Sequence, residues 1–363
     1  MNIGQIDTGR LLDIGYDSCT ASCGNFMVLD HTIMESQCRI EGLVVLPLTQ
    51  AFEKYPHVRE ELFFNIVSRD ANDTTRSAAG RDPVGYYVYV HPGVKIEEPL
   101  QAAFLFGETG ARQFIHNIIE IGDGAELNIV NGCTTASHGR EGTHVGITET
   151  YMGRNSHLGY TMIHNWGHAM EVFPVGAVSV GEGARYISNY VGMTAVKKIV
   201  TNPIAHVASR ASARFYSVIY SKGESFFDTG ARVMLDGRDA SGEILSRVVS
   251  EGGTVISRQF LSGNQAGTFG HMECSGLMLN EKGVIHSIPE LRGAHPDINL
   301  AHEAAVGKIS SEELSYLMTR GLTEEQARSL IIRGFLDIKI EGLPEKIQSF
   351  MEEIISRSVE GSI

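Results

Sequence analysis

Cysteine, proline and positive charge are all in short supply in this 363-residue chain. Five cysteines (Cys19, Cys23, Cys38, Cys133 and Cys274) are too few and too scattered for a disulfide scaffold. They read instead as thiols that are free, buried or bound to metal in a reducing cytoplasm. Ten prolines exclude a disordered Pro/Gly-rich linker protein. Thirty Lys and Arg stand against 43 Asp and Glu, a net charge of −13, and no local basic cluster offsets it. Nucleic acid and anionic membrane surfaces are therefore poor partners. No apolar run approaches the ~20 residues needed to span a bilayer. The start, MNIGQIDTGRLLDIG, carries no basic-then-apolar signal peptide. Neither a G-x-x-x-x-G-K-[ST] loop nor a dinucleotide-binding glycine fingerprint is present, so nucleotide phosphates are not expected to bind here.

Glycine is abundant: 40 of 363 residues, about 11% against a usual ~7%. Much of it falls in a recurring turn. The clearest copies are Ile121-Gly-Asp-Gly-Ala-Glu-Leu127, Met152-Gly-Arg-Asn-Ser-His-Leu158 and Val180-Gly-Glu-Gly-Ala-Arg-Tyr186. Weaker ones stand at Ser221-Lys-Gly-Glu, Glu251-Gly-Gly-Thr and Glu281-Lys-Gly-Val. Spacing is mostly 28 to 31 residues, with one interval near 40. Gly or Asn at the fourth position suits a corner with positive φ. Between the turns lie short alternating runs such as Tyr86–Val90, Glu126–Val130 and Arg214–Tyr220, with the two-residue period of strands and no helical pattern. A stacked β-solenoid fits this texture best; a β-sandwich or a double-stranded barrel gives some of the same signals.

The flanks read differently. Residues 1–70 look α-rich, with short helices over Thr49–Tyr55 and Val58–Val67. Residues 71–83 belong to a polar run that reads as a linker or mobile loop. Residues 84–295 form the β core, and 296–363 a helical cap. In that cap Ser310 with Glu313, and Thr323 with Gln326, have capping-box spacing, and an amphipathic helix is expected over Leu343–Ile355.

Three groups of residues could carry chemistry. His164 and His168 sit in a segment superficially like a cupin metal motif, but four apart with glycine between; turn or surface histidines are the plainer reading. Cys19, Cys23 and Cys38 could clasp zinc or an iron–sulfur cluster, though no downstream pair completes a zinc ribbon. Cys274, on a strand-like segment, precedes His302-Glu303 at the expected junction with the cap. Thiolate, imidazole and carboxylate together suit iron or an iron–sulfur cluster, while spacing alone leaves room for a buried cysteine and a helix entry.

The segment from Leu300-Ala-His302-Glu303 through Gly307-Lys308, then Glu313-Leu314-Ser-Tyr316 to Arg320-Gly321, then Glu325 to Phe335, resembles the C-terminal signature of the SufB/SufD family. Upstream, Gly85–Val94, Glu98-Pro99-Leu100-Gln101, Gly122–Ala125, Asn131-Gly132-Cys133-Thr134 and Asn165-Trp166 are similar to the family's core domain. The similarity runs in order from about residue 30 to 340. It implies a right-handed parallel β-helix with helical ends, in a scaffold of the SUF iron–sulfur assembly machinery and not an enzyme. It implies a SufC-like ABC ATPase docked on the C-terminal helices, dimerisation through the β-helix, and a transient cluster, of 4Fe-4S type, passed to apo iron–sulfur proteins. By position, Cys274, His302 and Glu303 correspond to cluster-holding residues near the dimer interface. Cys133 corresponds to a sulfur acceptor, and Trp166 to an aromatic lining an internal route. The set favours SufB character. A short N-terminus suggests a minimal SufBD protein, a homodimer with two ATPase copies. Where family members often carry a polar Phe-Arg-Ile-Asn run, this chain has Phe104-Leu105-Phe106-Gly107. The alternatives are a β-helix polysaccharide lyase or hydrolase, and a structural SufD-like subunit without its own cluster.

Overall fold

The computed structural model describes residues 7–17, 21–136 and 141–337, together with 349, 352 and 353. Cys19, and nearly all of the helix expected over 343–355, lie outside the described residues. The chain is mainly β, a solenoid of about eight turns with small helices near its ends.

Two walls of parallel strands face each other across a lumen. The first wall runs through β1 (Gly24–Leu29), β5 (Leu100–Phe106), β7 (Glu126–Thr135), β9 (His157–Asn165) and β11 (Arg185–Gly192). It continues through the first halves of β14 (Ser212–Leu235) and β15 (Ser241–Gly263), then β16 (Thr268–Met278) and β18 (Ile298–Lys308). The second wall runs through β4 (Tyr86–Val90), β6 (Arg112–Ile121), β8 (Gly142–Met152), β10 (Met170–Val180), β12 (Lys198–Thr201) and β13 (Ile204–Val207). The second halves of β14 and β15 and then β17 (Gly283–Gly293) complete it. Among the described residues, only β2 (Thr32–Cys38), against β1, and β3 (Leu43–Pro47), against β4, pair antiparallel.

The glycine turns are one corner of this coil. Gly93, Gly124, Asn155, Gly183, Arg210, Asp239 and Gly267 all have φ between 53° and 75°. Each donates its N–H to a carbonyl of the next turn, from Gly93 to Asp123 O at 2.8 Å through to Gly267 to Asp297 O at 2.8 Å. The copies at 223 and 252–253 belong to a second corner, where β14 and β15 bend between walls. The apparent 40-residue interval is a step from one corner to the other. True copies at Arg210 and Asp239 lack glycine and so escape a glycine search.

Alternation sorts the side chains. The lumen core stacks Phe26, Tyr86, Phe104 and Phe106 near the N-terminal end and thins to Val248, Leu261 and Met272 toward the other. Outside the first wall, Ile187, Val191, Val218 and Val249 belong to an apolar cluster that also takes in Leu11 and Ile14 near the N-terminus and Ile332 and Leu336 of the C-terminal helix. Outside the second wall, the buried Glu149 carboxylate accepts the backbone N–H groups of Phe64, Asn65, Ile66 and Val67 at 2.5–3.0 Å and contacts His116 Nε2 at 2.9 Å. That single side chain fastens the 63–67 loop to the solenoid, because four otherwise orphaned donors converge on it.

The flanks depart from the sequence expectation in three places. Residues 1–70 are mixed: α1 (Thr8–Leu12) and α2 (Leu48–Lys54) are short, the helix expected over Val58–Val67 is one π turn over Val58–Leu62, and β1, β2 and β3 lie between them. The polar stretch after Ser68 contains α3 (Asp73–Ala79), started by a capping box between Asn72 and Thr75; Arg81 then lies over the Phe114 ring at 4.4 Å. At the far end, the β region extends past 296, since β18 reaches Lys308. The caps behave as read: Ser310 accepts from the N–H groups of Glu312 and Glu313 at the start of α4 (Ser311–Thr319), and Thr323 with Gln326 box the start of α5 (Glu324–Leu336). α5 runs through Gly334 and continues two residues beyond it.

Candidate functional site in the solenoid lumen

A cavity of about 110 Å³ lies between the walls, beginning beside Phe104 and Cys133 and reaching Ser246 and Gln259. In-register stacking explains its lining. Stepping one turn at a time along the first wall, Asn131 pairs with Met162, Met162 with Tyr190, Tyr190 with Ser217, Ser217 with Ser246, and Ser246 with Cys274. Because the register never slips on this wall, one column of side chains runs down the lumen. Ser217 Oγ donates to Ser246 Oγ at 3.0 Å. Opposite, Thr229 and Ser257 are in register and line the cavity with Gln259.

Cys133 occupies the adjoining column, between Phe104 and His164. It is 1% exposed. Its Sγ contacts Met162 Sδ at 3.9 Å and receives Asn131 Nδ2 at 3.8 Å. Burial pushes its thiol far above the ordinary range. His164 Nδ1 lies 3.2 Å from the Tyr190 hydroxyl, and His144 Nδ1 lies 2.7 Å from Gln113 Oε1. Burial holds both imidazoles uncharged, at a pKa of about 3. Trp166 stands against both rings, 4.8 Å from His144 and 5.7 Å from His164, and its buried Nε1 has no hydrogen-bond partner among the described residues.

His164 and His168 therefore do not form a cupin-like pair, since His164 faces the lumen and His168 is exposed. The surface reading holds for His168 and fails for His164. Of the N-terminal thiols, Cys23 is buried, its thiol raised to about 12 chiefly by burial. Cys38 is exposed, and its Sγ donates to Leu43 O at 3.0 Å.

Cys274 is buried on β16, on the lumen side by its register with Ser246. The flanking Glu273 faces outward, paired with Arg247 at 2.5 Å and accepting from Ser275 at 3.0 Å. The Arg247 guanidinium and the Ser275 hydroxyl lower its carboxyl pKa against an opposing burial effect. His302 and Glu303 are not at a helix junction. They lie mid-strand on β18, opposite Met272 and Glu273 respectively, and both are exposed. Successive strand residues point to opposite faces, so His302 shares the face of Met272 and Cys274 while Glu303 shares that of Glu273. No group of three or more His, Cys, Asp or Glu side chains able to hold a metal forms among the described residues.

Sequence reasoning missed Asn131, Met162, Tyr190, Ser217 and Ser246. The signal was available: these residues and Cys274 fall 27 to 31 apart, the period of the turns. Counting back from Cys274 in units of the repeat would have found the column.

The fold is a long parallel β-solenoid with two buried thiols, Cys133 and Cys274, on its lumen side, and among the described residues that line its cavity none is Asp or Glu. Residues 104–335 match the model of the SufBD core domain of the SUF system for FeS cluster assembly. An iron–sulfur cluster assembly SufBD family protein of Archaeoglobus fulgidus is 41% identical over 98% of this chain and 95% of its own. One from Methanothermobacter thermautotrophicus strain Delta H is 35% identical, covering 97% and 87%, and one from Pyrococcus horikoshii 30%, covering 88% and 72%. The chain belongs to the SufBD family of iron–sulfur cluster assembly proteins.

Proposed function

We propose that this protein is the scaffold of a SUF-type complex and builds a nascent iron–sulfur cluster where two copies meet. Iron and sulfur are the substrates, and the chain performs no hydrolysis of its own. The observation that carries the reading is the position of Cys274: a lumen-facing thiol one strand from the end of its wall, in a chain of this family. Thiolates are the usual cluster ligands and an imidazole can replace one. A carboxylate is a harder ligand that favours later release. Because His302 and Glu303 occupy opposite faces of β18, Cys274 and His302 of one copy bind on the lumen side, and the outward Glu303 approaches the site of its partner.

Support for the homodimer comes from the same end. Val284, Leu291 and Val306 on β17 and β18, and Phe269 on β16, are exposed apolar side chains, and such patches mark association surfaces. A SufC-like ABC ATPase docks on α4 and α5, where Tyr316, Met318 and Leu330 are exposed while Ile332 and Leu336 hold α5 to the wall. ATP-driven closure of two such partners opens or tightens the β18 seam, a two-state element. Cys133 and Trp166 handle sulfur at the other end, and the cluster, a 4Fe-4S unit in this reading, leaves to apo-proteins in the cytoplasm. No helix among the described residues is long and apolar enough to cross a membrane.

The test is anaerobic co-purification with the ATPase, counting iron and sulfide per dimer. Cys274→Ser should lose most of the cluster absorbance with an unchanged melting temperature. Retention of the wild-type iron and sulfide content would refute the assignment.

A further inference from the structure

We infer that the side of the solenoid carries a port: a seam between residues 173–176 and 200–203 admits small uncharged molecules bearing N–H or O–H groups to a lumen site beside Thr201 and Gln259. The inference goes beyond the scaffold reading and does not depend on it.

The seam is a break in the second wall. Pairing of β10 with β12 stops at Val172↔Ile199, and pairing of β10 with β13 begins at Ala177↔Ile204. Ile199 lies 27 residues after Val172, and Ile204 lies 27 after Ala177. The register is therefore the same on both sides, and four facing positions, about 13 Å of strand, are left out of the ladder. On its other edge β10 pairs with β8 without interruption. Each lip holds a proline, Pro174 and Pro203, which has no N–H to give to a ladder. Gly176 faces Pro203 without a side chain, since a Cβ there would stand 3.1 Å from Pro203 Cβ. The lips meet with neither strand pairing nor interlocking side chains to hold them.

The cavity reaches this seam. On β8, β9 and β11 only alternate residues line it, as on any strand seen from one face. On β10 every residue from Pro174 to Val178 does. Val175 and Ile204 line it although both pack into the apolar cluster outside the wall. The cavity thus extends between the strands toward the outer face. There Lys198 Nζ lies 5.8 Å from the ring centroids of both Phe173 and Phe226. Asn202 Oδ1, in the seam itself, is buried with no partner among the described residues. Entry from the N-terminal end is obstructed, because the rings of Phe26, Tyr86 and Phe104 fill the lumen there.

The lining sets the class of ligand. Inside the seam Thr201, Thr229 and Ser257 stand in register as a row of hydroxyl side chains. Gln259, two residues beyond Ser257, presents a buried Oε1 with no partner among the described residues. Among the described residues that line the cavity none is Asp, Glu, Lys or Arg, and both histidines are uncharged. An ion would lose its hydration with nothing to replace it. An uncharged donor loses less and gains the Gln259 carbonyl. Size is limited too. The volume of about 110 Å³ is smaller than the ~150 Å³ that accommodates benzene, so the ligand has a handful of heavy atoms.

The experiment uses the full chain without iron, so its outcome is separate from that of the scaffold reading. Binding is read by fluorine NMR with trifluoroacetamide and with trifluoroacetate, its anionic counterpart of the same size. The amide should bind at least about tenfold more tightly, and Gln259→Leu should weaken it about fivefold through one lost hydrogen bond. Equal affinities, or an indifferent Gln259→Leu, would overturn the site. Entry is read by acrylamide quenching of Trp166, the one tryptophan in the chain, which stands beside His144 on β8, the strand next to β10. Thr201→Phe, which fills the mouth of the seam, should lower the quenching constant at least about fivefold. Ser246→Phe, farther toward the C-terminal end, should leave it unchanged. The reverse pattern would put the entrance at the end of the solenoid and overturn the port. Hydrogen exchange of the wild-type chain needs no variant. Peptides covering 173–176 and 200–203 should exchange at least about tenfold faster than those covering 144–148 on β8, and equal protection would mean a closed wall.

Discussion

The two ends of the solenoid are built on opposite plans. At the N-terminal end the lumen is filled by large rings, and the outer faces are covered by α1, α2 and the loop fastened by Glu149. At the C-terminal end the last strands expose most of their side chains, apolar ones included. A parallel wall ends in unpaired backbone unless something covers it. One end is covered by its own chain, and the other, among the described residues, is left open. Stability is thus concentrated where the lumen begins, and the cluster-binding residues proposed above sit where the fold is thinnest.

The sharpest way to break that comparison is to truncate one apolar side chain at each end. Phe104 is 1% exposed and packed against Phe26 and Tyr86. Phe104→Ala should cost about 3–5 kcal/mol, read as a large fall in melting temperature. Val306 on β18 is 47% exposed, and Val306→Ala should cost under about 0.5 kcal/mol in the monomer while weakening self-association in sedimentation. Equal losses of stability would mean that the ends are not different in kind.

Acid should act mainly on the closed half. His144 and His164 titrate at about 3 in the folded chain against 6.5 for the free side chain. The unfolded chain therefore binds more protons below pH 6.5, and stability falls as pH falls toward 3, being fully present above 6.5. At pH 5 each imidazole should cost about 2 kcal/mol. Replacing both by Gln should flatten the loss of melting temperature between pH 7 and 5. An unchanged slope would show that the imidazoles are not what acid attacks.

The solenoid was legible because its corner is a local demand: a positive φ selects Gly or Asn, and the repeat makes the signal recur. The Ser310 cap and the Thr323–Gln326 capping box were legible for the same reason, since each involves four consecutive residues. What escaped was set at a distance. Gly24–Leu29 became a strand by pairing with Leu100–Leu105, and Ile298–Lys308, rich in alanine, stayed extended because each residue is in register with β16. The family resemblance pointed to Cys133 as a sulfur acceptor, Trp166 on an internal route and Cys274 with His302 and Glu303 near a dimer interface, but strand alternation, invisible without the register, separates His302 from Glu303.

The smallest effect comes from the corner itself. Arg210 takes φ 57° where Gly93, Gly124, Gly183 and Gly267 hold the same place in neighbouring turns. A side chain in that region carries a steric cost that glycine avoids. Its compensation is an ion pair with Glu182 on the surface, where such pairs contribute little. Arg210→Gly should therefore raise stability by about 0.5–1 kcal/mol, the relief of strain exceeding the lost pair and the added freedom of the unfolded chain. Arg210→Ala separates the two contributions, since it removes the pair and keeps the strain. If the alanine and glycine variants melt together, the corner is not strained, and the seven turns are held by their carbonyl ladder alone.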